Sequence, residues 1–190
     1  MKEFIITKII SLYEKNGASN YIGENLSQTE HMIQSAMLAE DAKESPQVII
    51  AAFLHDIGHL IELQNNSVQM ELLGVQNHEE IGREYLLKMG ISKKIANLVG
   101  NHVKSKRYLT QTDPSYFSTL SEASKKTFIF QGGAMNETEM KEFELDELFA
   151  ESIRLRKYDD QAKIPDLKIK SLDYYAKMMM NHLDLSSKKN

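Results

Sequence analysis

Residues 48–59, Val-Ile-Ile-Ala-Ala-Phe-Leu-His-Asp-Ile-Gly-His, are the stretch that decides the fold. The first seven are apolar in succession, and Ser45-Pro46 before them has the form of an N-cap followed by a first-turn proline. This pattern indicates a helix that is buried on all sides and lies at the centre of the molecule. Because His55-Asp56 follows directly, we expect ionisable side chains at the C-terminal end of a buried helix.

Helical patterns recur along the rest of the chain, and no long alternating apolar and polar run suggests a strand. The patterns predict helices at about 5–16, 27–42, 77–89, 118–130, 137–161 and 171–183. A further helix is predicted to begin after Ser92. Residues 62–75 have the composition of a polar loop. The prediction is an all-α protein, a single helical-bundle domain over residues 1–190 with a disordered tail at 185–190.

Composition narrows the class of protein. A chain of 190 residues with 42% hydrophobic and 26% charged residues is ordinary for a soluble domain with a real core. The net charge of −4 argues against a nucleic-acid binder. The absence of cysteine excludes disulfides and thiolate ligands and fits a cytoplasmic protein. The apolar run at 48–54 is too short to span a membrane, and no signal peptide is expected.

Five of the six histidines and two aspartates form one series along the chain: His31, His55, Asp56, His59, His78, His102 and Asp159. Histidine and carboxylate are ligands of iron, manganese and zinc. Six or more such groups are too many for one ordinary ion, so the series suggests two ions bridged by a shared carboxylate. A single histidine is more often structural, and His182, outside the series, is expected at the surface of the last helix.

The spacing around His55 suggests how a bridge arises. His55 and His59 are four residues apart and face one side if the helix continues through them. Asp56 is offset by about 100° and reaches a metal between the two histidines. A carboxylate has two oxygens and bridges two cations, whereas each imidazole offers one nitrogen.

The order His31, His55-Asp56, Asp159 resembles the HD-domain superfamily of metal-dependent phosphohydrolases, and His78 and His102 resemble its two-metal subset. Further segments resemble the phosphonate-cleaving HD oxygenases (the PhnZ type), over about residues 10–180. They are Tyr-Ile-Gly-Glu at 21–24, Leu-His-Asp-Ile-Gly-His at 54–59, Gly-Asn-His-Val at 100–103, Lys-Arg-Tyr-Leu at 106–109, Leu-Ser-Glu-Ala-Ser-Lys-Lys-Thr at 120–127, Gln-Gly-Gly at 131–133 and Arg-Lys-Tyr-Asp at 156–159.

This resemblance implies two iron ions in a mixed Fe2+/Fe3+ state. Such enzymes cleave the C–P bond of a 1-hydroxyphosphonate with O2 to give a carboxylic acid and phosphate. The ligands of one iron would be His31, His55, Asp56 and Asp159. Those of the other would be Asp56, His78 and His102, with Asp56 as the bridge.

The resemblance also implies the substrate contacts. Lys106 and Arg156 would bind the phosphonate, with His59 and Lys106 in catalytic roles, and hydrogen bonds would come from His59, Ser124 and Gln131. Tyr21 would cap an iron until substrate arrives, and Glu24 would bind the substrate amine. The substrate would be a 2-amino- or 2-trimethylammonio-1-hydroxyethylphosphonate, supplied by a 2-oxoglutarate-dependent hydroxylase, and Glu24 suits either amine.

Two other functions remain open from the residues. The first is a dinuclear phosphohydrolase acting on a nucleotide or small phosphate ester, in which a metal-bound hydroxide attacks phosphorus. The ligands alone do not separate it from an oxygenase, although Tyr21 and Glu24 favour the oxygenase. The second is a non-enzymatic signalling or binding module of the same fold, which the intact ligand series argues against.

Overall fold

The computed structural model describes residues 1–21, 24–62 and 77–187, and its regular structure within them is α-helical. The all-α prediction is confirmed. Eleven helices lie in these ranges: α1 (Lys2–Asn16), α2 (Gln28–Asp41), α3 (Pro46–Leu54), α4 (Ile57–Glu62), α5 (His78–Lys88), α6 (Lys93–Thr112), α7 (Tyr116–Thr119), α8 (Glu122–Phe130), α9 (Glu137–Glu144), α10 (Phe149–Gln161) and α11 (Leu172–Ser187). None of them is long and apolar enough to cross a membrane.

Serine caps begin several helices where the sequence predicts them. The Ser27 hydroxyl accepts a hydrogen bond from the Glu30 backbone, and the Glu30 carboxylate accepts one from the Ser27 backbone, which completes a capping box. Ser45 and Ser92 cap α3 and α6 in the same way. Gly90 follows the end of α5 with a φ of 79°, a left-handed conformation that glycine adopts without a steric penalty.

Two helices predicted as continuous are each divided in two. The 118–130 prediction was wrong at its start, because the Ser121 hydroxyl accepts from the Ser124 backbone and begins α8 at Glu122. The 137–161 prediction is interrupted between α9 and α10, where the Asp146 carboxylate accepts from the Leu148 backbone. In both places a short polar side chain offers the backbone a local partner that competes with the helix.

The last helix is longer and more buried than predicted. α11 continues to Ser187, so only residues 188–190 of the expected tail, like residues 63–75 of the expected loop, lie outside the described residues. His182 is 9% exposed, which corrects its predicted place at the surface. Tyr175, Met179 and His182 recur at helical spacing, and this face of α11 is turned inward.

α3 is the centre of the core, as its composition predicts. Residues 48–54 are all buried, and α2, α6, α10 and α11 pack against this helix. The Phe53 ring stacks between Tyr13 of α1 and Tyr175 of α11, with centroids 4.6 and 4.7 Å away. Burial of each such ring contributes about 1.5–3 kcal/mol to folding, so the stack ties both terminal helices to α3.

The helix does not continue through His55 and His59, so the condition under which the two would share one helical face is not met. α3 ends at Leu54, His55-Asp56 form a turn, and α4 begins at Ile57. α4 then packs closely on α5, and the absence of a side chain at Gly58 permits this approach. A Cβ placed on Gly58 would lie 1.9 Å from the His78 carbonyl oxygen. The interruption brings the His55-Asp56 turn to the start of α5.

Candidate metal centre and active site

Six side chains of the histidine and aspartate series meet at one point inside the bundle. α2 supplies His31, the turn after α3 supplies His55 and Asp56, and the remaining three, His78, His102 and Asp159, come from α5, α6 and α10. None of the six is more than 5% exposed. Residues from positions 31 to 159 are thus collected in a buried cluster rich in nitrogen and oxygen donors.

Asp56 lies between two groups of histidines. Its Oδ2 atom is 3.8 Å from His31 Nε2 and 3.5 Å from His55 Nε2. Its Oδ1 atom is 3.3 Å from His78 Nε2 and 3.4 Å from His102 Nε2. Each oxygen of this one carboxylate therefore faces a different pair of imidazoles, as a bridging ligand requires.

The spacing of the donor atoms suits metal coordination in both halves of the cluster. In the first half, His31 Nε2 is 3.1 Å from His55 Nε2 and 3.2 Å from Asp159 Oδ1. In the second half, His78 Nε2 is 3.0 Å from His102 Nε2. Ligands about 2.0–2.2 Å from one ion lie roughly 3 Å apart at a right angle, so the residues present fit two metal ions.

Backbone carbonyls fix the orientation of three of the histidines. His31 Nδ1 lies 2.9 Å from the carbonyl oxygen of Ala162, His55 Nδ1 lies 2.8 Å from that of Ala52, and His102 Nδ1 lies 2.6 Å from that of Val99. A carbonyl only accepts, so each Nδ1 carries the proton. The Nε2 lone pairs are then left to point at the centre of the cluster, the usual arrangement for a metal ligand.

Burial and neighbouring charges set the protonation states that metal binding needs. Burial lowers the pKa of His55 to about 4, so its imidazole is neutral near pH 7. Burial alone would raise the pKa of Asp56, but His55, His102 and His78 hold it well below its ordinary value. The carboxylate is therefore ionised and the imidazole neutral, the forms in which both bind metal.

The Arg156 guanidinium holds the Asp159 carboxylate in place through an ion pair. Its Nη1 donates to Asp159 Oδ2 at 2.7 Å, its Nε donates to the Tyr116 hydroxyl at 3.0 Å, and its Nη2 donates to Asp160. The Tyr116 hydroxyl donates in turn to Asp160 at 2.6 Å. Burial would lower the pKa of Arg156, but Asp159 and Asp160 raise it well above its ordinary value, so the guanidinium stays charged.

Lys106 is a buried cation on α6. It is 2% exposed, and its Nζ donates to Thr127 Oγ1 at 3.1 Å and to the Ser124 carbonyl at 3.5 Å. Burial, with a smaller effect of the Arg156 charge, lowers the pKa of Lys106 to about 7. An ammonium held under this penalty gains from any anion that comes near it.

A cavity of about 50 Å³ opens beside the cluster. Four of the six expected ligands line it (Asp56, His78, His102 and Asp159), as do the predicted substrate contacts Tyr21, His59, Lys106, Ser124, Gln131 and Arg156. A cavity needs about 10–15 Å³ to hold one water molecule, so this cavity has room for a small molecule. Acid ligands, imidazoles and two buried cations therefore share one chamber.

Two aromatic stacks connect the cavity with the two halves of the cluster. The Tyr21 ring lies against the His31 ring in the first half, with centroids 3.8 Å apart and planes 18° apart. The His59 ring lies against His78 in the second half, with centroids 4.0 Å apart. His59, Asp56 and His78 also offer ligand atoms within 4.8 Å of one another, so His59 lies close enough to serve as a ligand itself.

Comparison with known proteins identifies the family. The HD-domain family matches residues 29–178, a span that contains all six expected ligands. The chain belongs to the HD-domain family. The predicted membership is thereby confirmed, and the buried His-Asp cluster of this HD domain is in keeping with a metal-binding enzyme.

Two relatives of this HD-domain chain are named as dioxygenases. A [1-hydroxy-2-(trimethylamino)ethyl]phosphonate dioxygenase (glycine-betaine-forming) of Leisingera caerulea is 34% identical over 180 residues, which cover 95% of this chain and 91% of the relative. A hydroxymethylphosphonate dioxygenase of Gimesia maris is 34% identical over 170 residues, covering 90% and 84%. The prediction of an HD-domain oxygenase resembling the phosphonate-cleaving type is confirmed.

A further relative extends the similarity to a virus. An uncharacterised protein of Acanthamoeba polyphaga mimivirus is 52% identical to this HD domain over 182 residues, covering 96% of this chain and 83% of the relative.

The sequence predictions missed some residues of the site. Gln28, Ala123 and Thr127 line the cavity, and Tyr116 and Asp160 hold Arg156, yet none of the five was predicted. Glu24, in contrast, is half-buried and does not line the cavity. Gln28 had a usable signal, because it precedes His31 by three residues on a capped helix and therefore shares its face.

Proposed function

We propose that this HD-domain enzyme is a di-iron oxygenase that cleaves the C–P bond of a 2-substituted 1-hydroxyethylphosphonate with O2. A 2-amino substrate would give glycine and phosphate, and a 2-trimethylammonio substrate would give glycine betaine and phosphate. The observation that carries the proposal is the position of Asp56, which divides its two oxygens between two histidine pairs beside a cavity holding two buried cations.

Six residues are proposed as ligands of the two irons, with Asp56 shared by both. His31, His55, Asp56 and Asp159 would hold one iron, and Asp56, His78 and His102 would hold the other. When bound, the iron pair supplies the redox chemistry that lets O2 react with an unactivated carbon. Imidazole and carboxylate ligands suit iron as well as other transition metals, so the named dioxygenase relatives support iron in particular.

The phosphonate is proposed to lie against Lys106 and Arg156. Both cations are nearly inaccessible to solvent. In the protein interior the attraction between opposite charges is stronger than in water. Among the described residues, Arg156 uses three of its five N–H groups, which leaves two for a ligand. Ser124 is proposed to add a hydroxyl donor. The small cavity supports a short organophosphonate over a nucleotide.

The stoichiometry makes O2 indispensable in this reaction. Oxidation of the C1 alcohol carbon to a carboxylate adds one oxygen atom, and replacement of the P–C bond by P–OH adds a second. Both atoms come from one O2 molecule, and no water is consumed. A dinuclear phosphohydrolase with the same ligands, the alternative, would need water and no O2.

One experiment tests the proposal against that alternative. The protein is loaded with iron anaerobically, given ascorbate and 2-amino-1-hydroxyethylphosphonate, and then exposed to O2 while phosphate and glycine are measured. We expect the two products in equal amounts and only after O2 is admitted. Phosphate release that proceeds equally well without O2, or release from a phosphate ester alone, would favour the hydrolase.

The cytoplasmic location of the protein and the supply of its substrate by a 2-oxoglutarate-dependent hydroxylase stay predictions.

A further inference from the structure

Gln28 presents an unsatisfied hydrogen-bond acceptor beside the cavity. It is the first residue of α2, is 4% exposed and lines the cavity. Its Oε1 atom is buried and accepts no hydrogen bond within the part of the chain that the structure describes. Gln131 also lines this cavity, and its Oε1 atom is likewise buried without a hydrogen-bond partner among the described residues.

A buried acceptor of this kind lowers the stability of the folded protein unless a ligand donates a hydrogen bond to it. Removing a carbonyl oxygen from water without giving it a donor is unfavourable, and nearly all buried polar groups in native proteins are paired. Gln28 is also held in place, because its backbone N–H donates to the Ser19 carbonyl at 2.9 Å. A methionine would fill the same volume without this penalty.

The chemistry of the atom restricts what it can contact. Ionised phosphonate oxygens are acceptors only, so they match Lys106 and Arg156 and do not match a carbonyl oxygen. Gln28 Oε1 must therefore meet a different part of the substrate, one that carries an N–H or O–H. The C1 hydroxyl is one such donor and is common to both candidate substrates. The amine end differs, because a primary ammonium has three N–H donors, whereas a trimethylammonium has none and needs room for three methyl groups.

We propose that Gln28 Oε1 accepts a hydrogen bond from the substrate ammonium, and that the site thereby selects a primary amine over a trimethylated one. This inference rests on the proposed function, since it concerns the end of the phosphonate substrate remote from phosphorus. Gln131 Oε1 provides a second acceptor in the same chamber. A charged donor on a buried carbonyl is among the stronger hydrogen bonds, so the selection is measurable as affinity.

The test measures binding and stability rather than turnover. Iron-loaded protein is titrated anaerobically, by calorimetry, with 2-amino-1-hydroxyethylphosphonate and with its trimethylated analogue. We expect Gln28→Met to bind the amino compound about tenfold more weakly than wild type, the usual cost of one such bond, and the analogue equally well. The Tm of the variant should be unchanged or higher, because an unsatisfied buried acceptor has been removed.

Ser35→Ala is the matched control on the same helix. Ser35 is fully buried, its hydroxyl has no partner in the described residues, and it does not line the cavity. It should leave both affinities unchanged and the Tm equal or higher. An equal loss for both ligands in Gln28→Met would place the contact on a group common to them and overturn the selection. So would a lower Tm with unchanged binding.

The two proposals fail in different ways. Wild-type protein that binds neither phosphonate contradicts the proposed function, and the role of Gln28 with it. Wild-type protein that binds both compounds, with Gln28→Met indistinguishable from it, contradicts the role of Gln28 alone.

Discussion

Arg156 fixes which oxygen of Asp159 faces the metal centre. Its Nη1 donates to Asp159 Oδ2 at 2.7 Å, while Asp159 Oδ1 lies 3.2 Å from His31 Nε2. The carboxylate thus has one oxygen in an ion pair and the other among the histidines. The same guanidinium lines the cavity, so we infer that substrate binding and metal binding depend on one side chain.

Arg156→Lys should therefore weaken the metal half that contains Asp159. Lysine keeps the charge but cannot reach Asp159, Asp160 and Tyr116 together, because it lacks the planar fork of the guanidinium. We expect a loss of about 10–100-fold in affinity for one of the two metals, as for other residues that orient ligands. Anaerobic Fe2+ titration measures it. Arg154→Lys, a partly exposed position on the same helix, is the control, and an unchanged Arg156→Lys titration would refute the prediction.

Asp56→Asn should affect both metals at once. The amide keeps the shape of the carboxylate but removes the charge and one acceptor oxygen, so it cannot bridge two cations. We expect the metal content to fall from two ions per chain to less than one, measured after anaerobic loading and desalting. Asp173→Asn, on the exposed face of α11, should keep both. An Asp56→Asn protein with a full pair of irons would show that the bridge lies elsewhere.

Lys106→Met should separate substrate binding from metal binding. Lys106 contacts Thr127 and Ser124 and is not among the proposed ligands, so the metal content should be unchanged. Affinity for the phosphonate should fall by about 10–100-fold, the range for a lost bond between charged groups. Calorimetry measures this, with the exposed Lys104→Met on the same helix as control. Loss of metal in Lys106→Met would instead indicate a structural role.

The stability of the metal-free protein should also depend on pH through Lys106. Its pKa is about 7 in the folded protein and near 10.5 when unfolded, so between these values the unfolded chain binds more protons. Stability from this group therefore rises with pH across that window, and below pH 7 the full penalty of a buried charge applies. Urea unfolding should show that Lys106→Met stabilises the protein most near pH 6 and less at pH 9. A gain independent of pH would contradict the lowered pKa.

Gly58→Ala should damage the second half of the centre. The new Cβ would lie 1.9 Å from the His78 carbonyl oxygen and 2.7 Å from its carbon, so α4 and α5 must separate. We expect the free energy of unfolding to fall by about 1–3 kcal/mol, as for other overpacked sites, and the metal held by His78 to be lost. Gly90→Ala is the contrast. It strains a φ of 79° in open space, so it should cost stability and keep both metals.

The helices and the ligand series were largely predictable because their signals are local. Ser27, Ser45 and Ser92 cap helices where predicted, and the apolar run at 48–54 is the buried centre. The breaks before Glu122 and after Glu144 were missed, since a serine or aspartate side chain there competes with a pattern that otherwise continues. The function prediction relied on family resemblance, which the relatives support. Glu24 is not among the residues that line the cavity, and its contact with the substrate amine stays a prediction.

The sequence by itself determined the helical class, the central helix and the donor types available for metal. Only the tertiary structure decided that the two oxygens of Asp56 face different histidine pairs, that Arg156 holds Asp159, and that Gln28 lines the cavity. Helix signals lie within a few residues of one another and follow from backbone and capping preferences. The contact of His31 with the Ala162 carbonyl, in contrast, spans 131 residues and depends on how α2 and α10 pack.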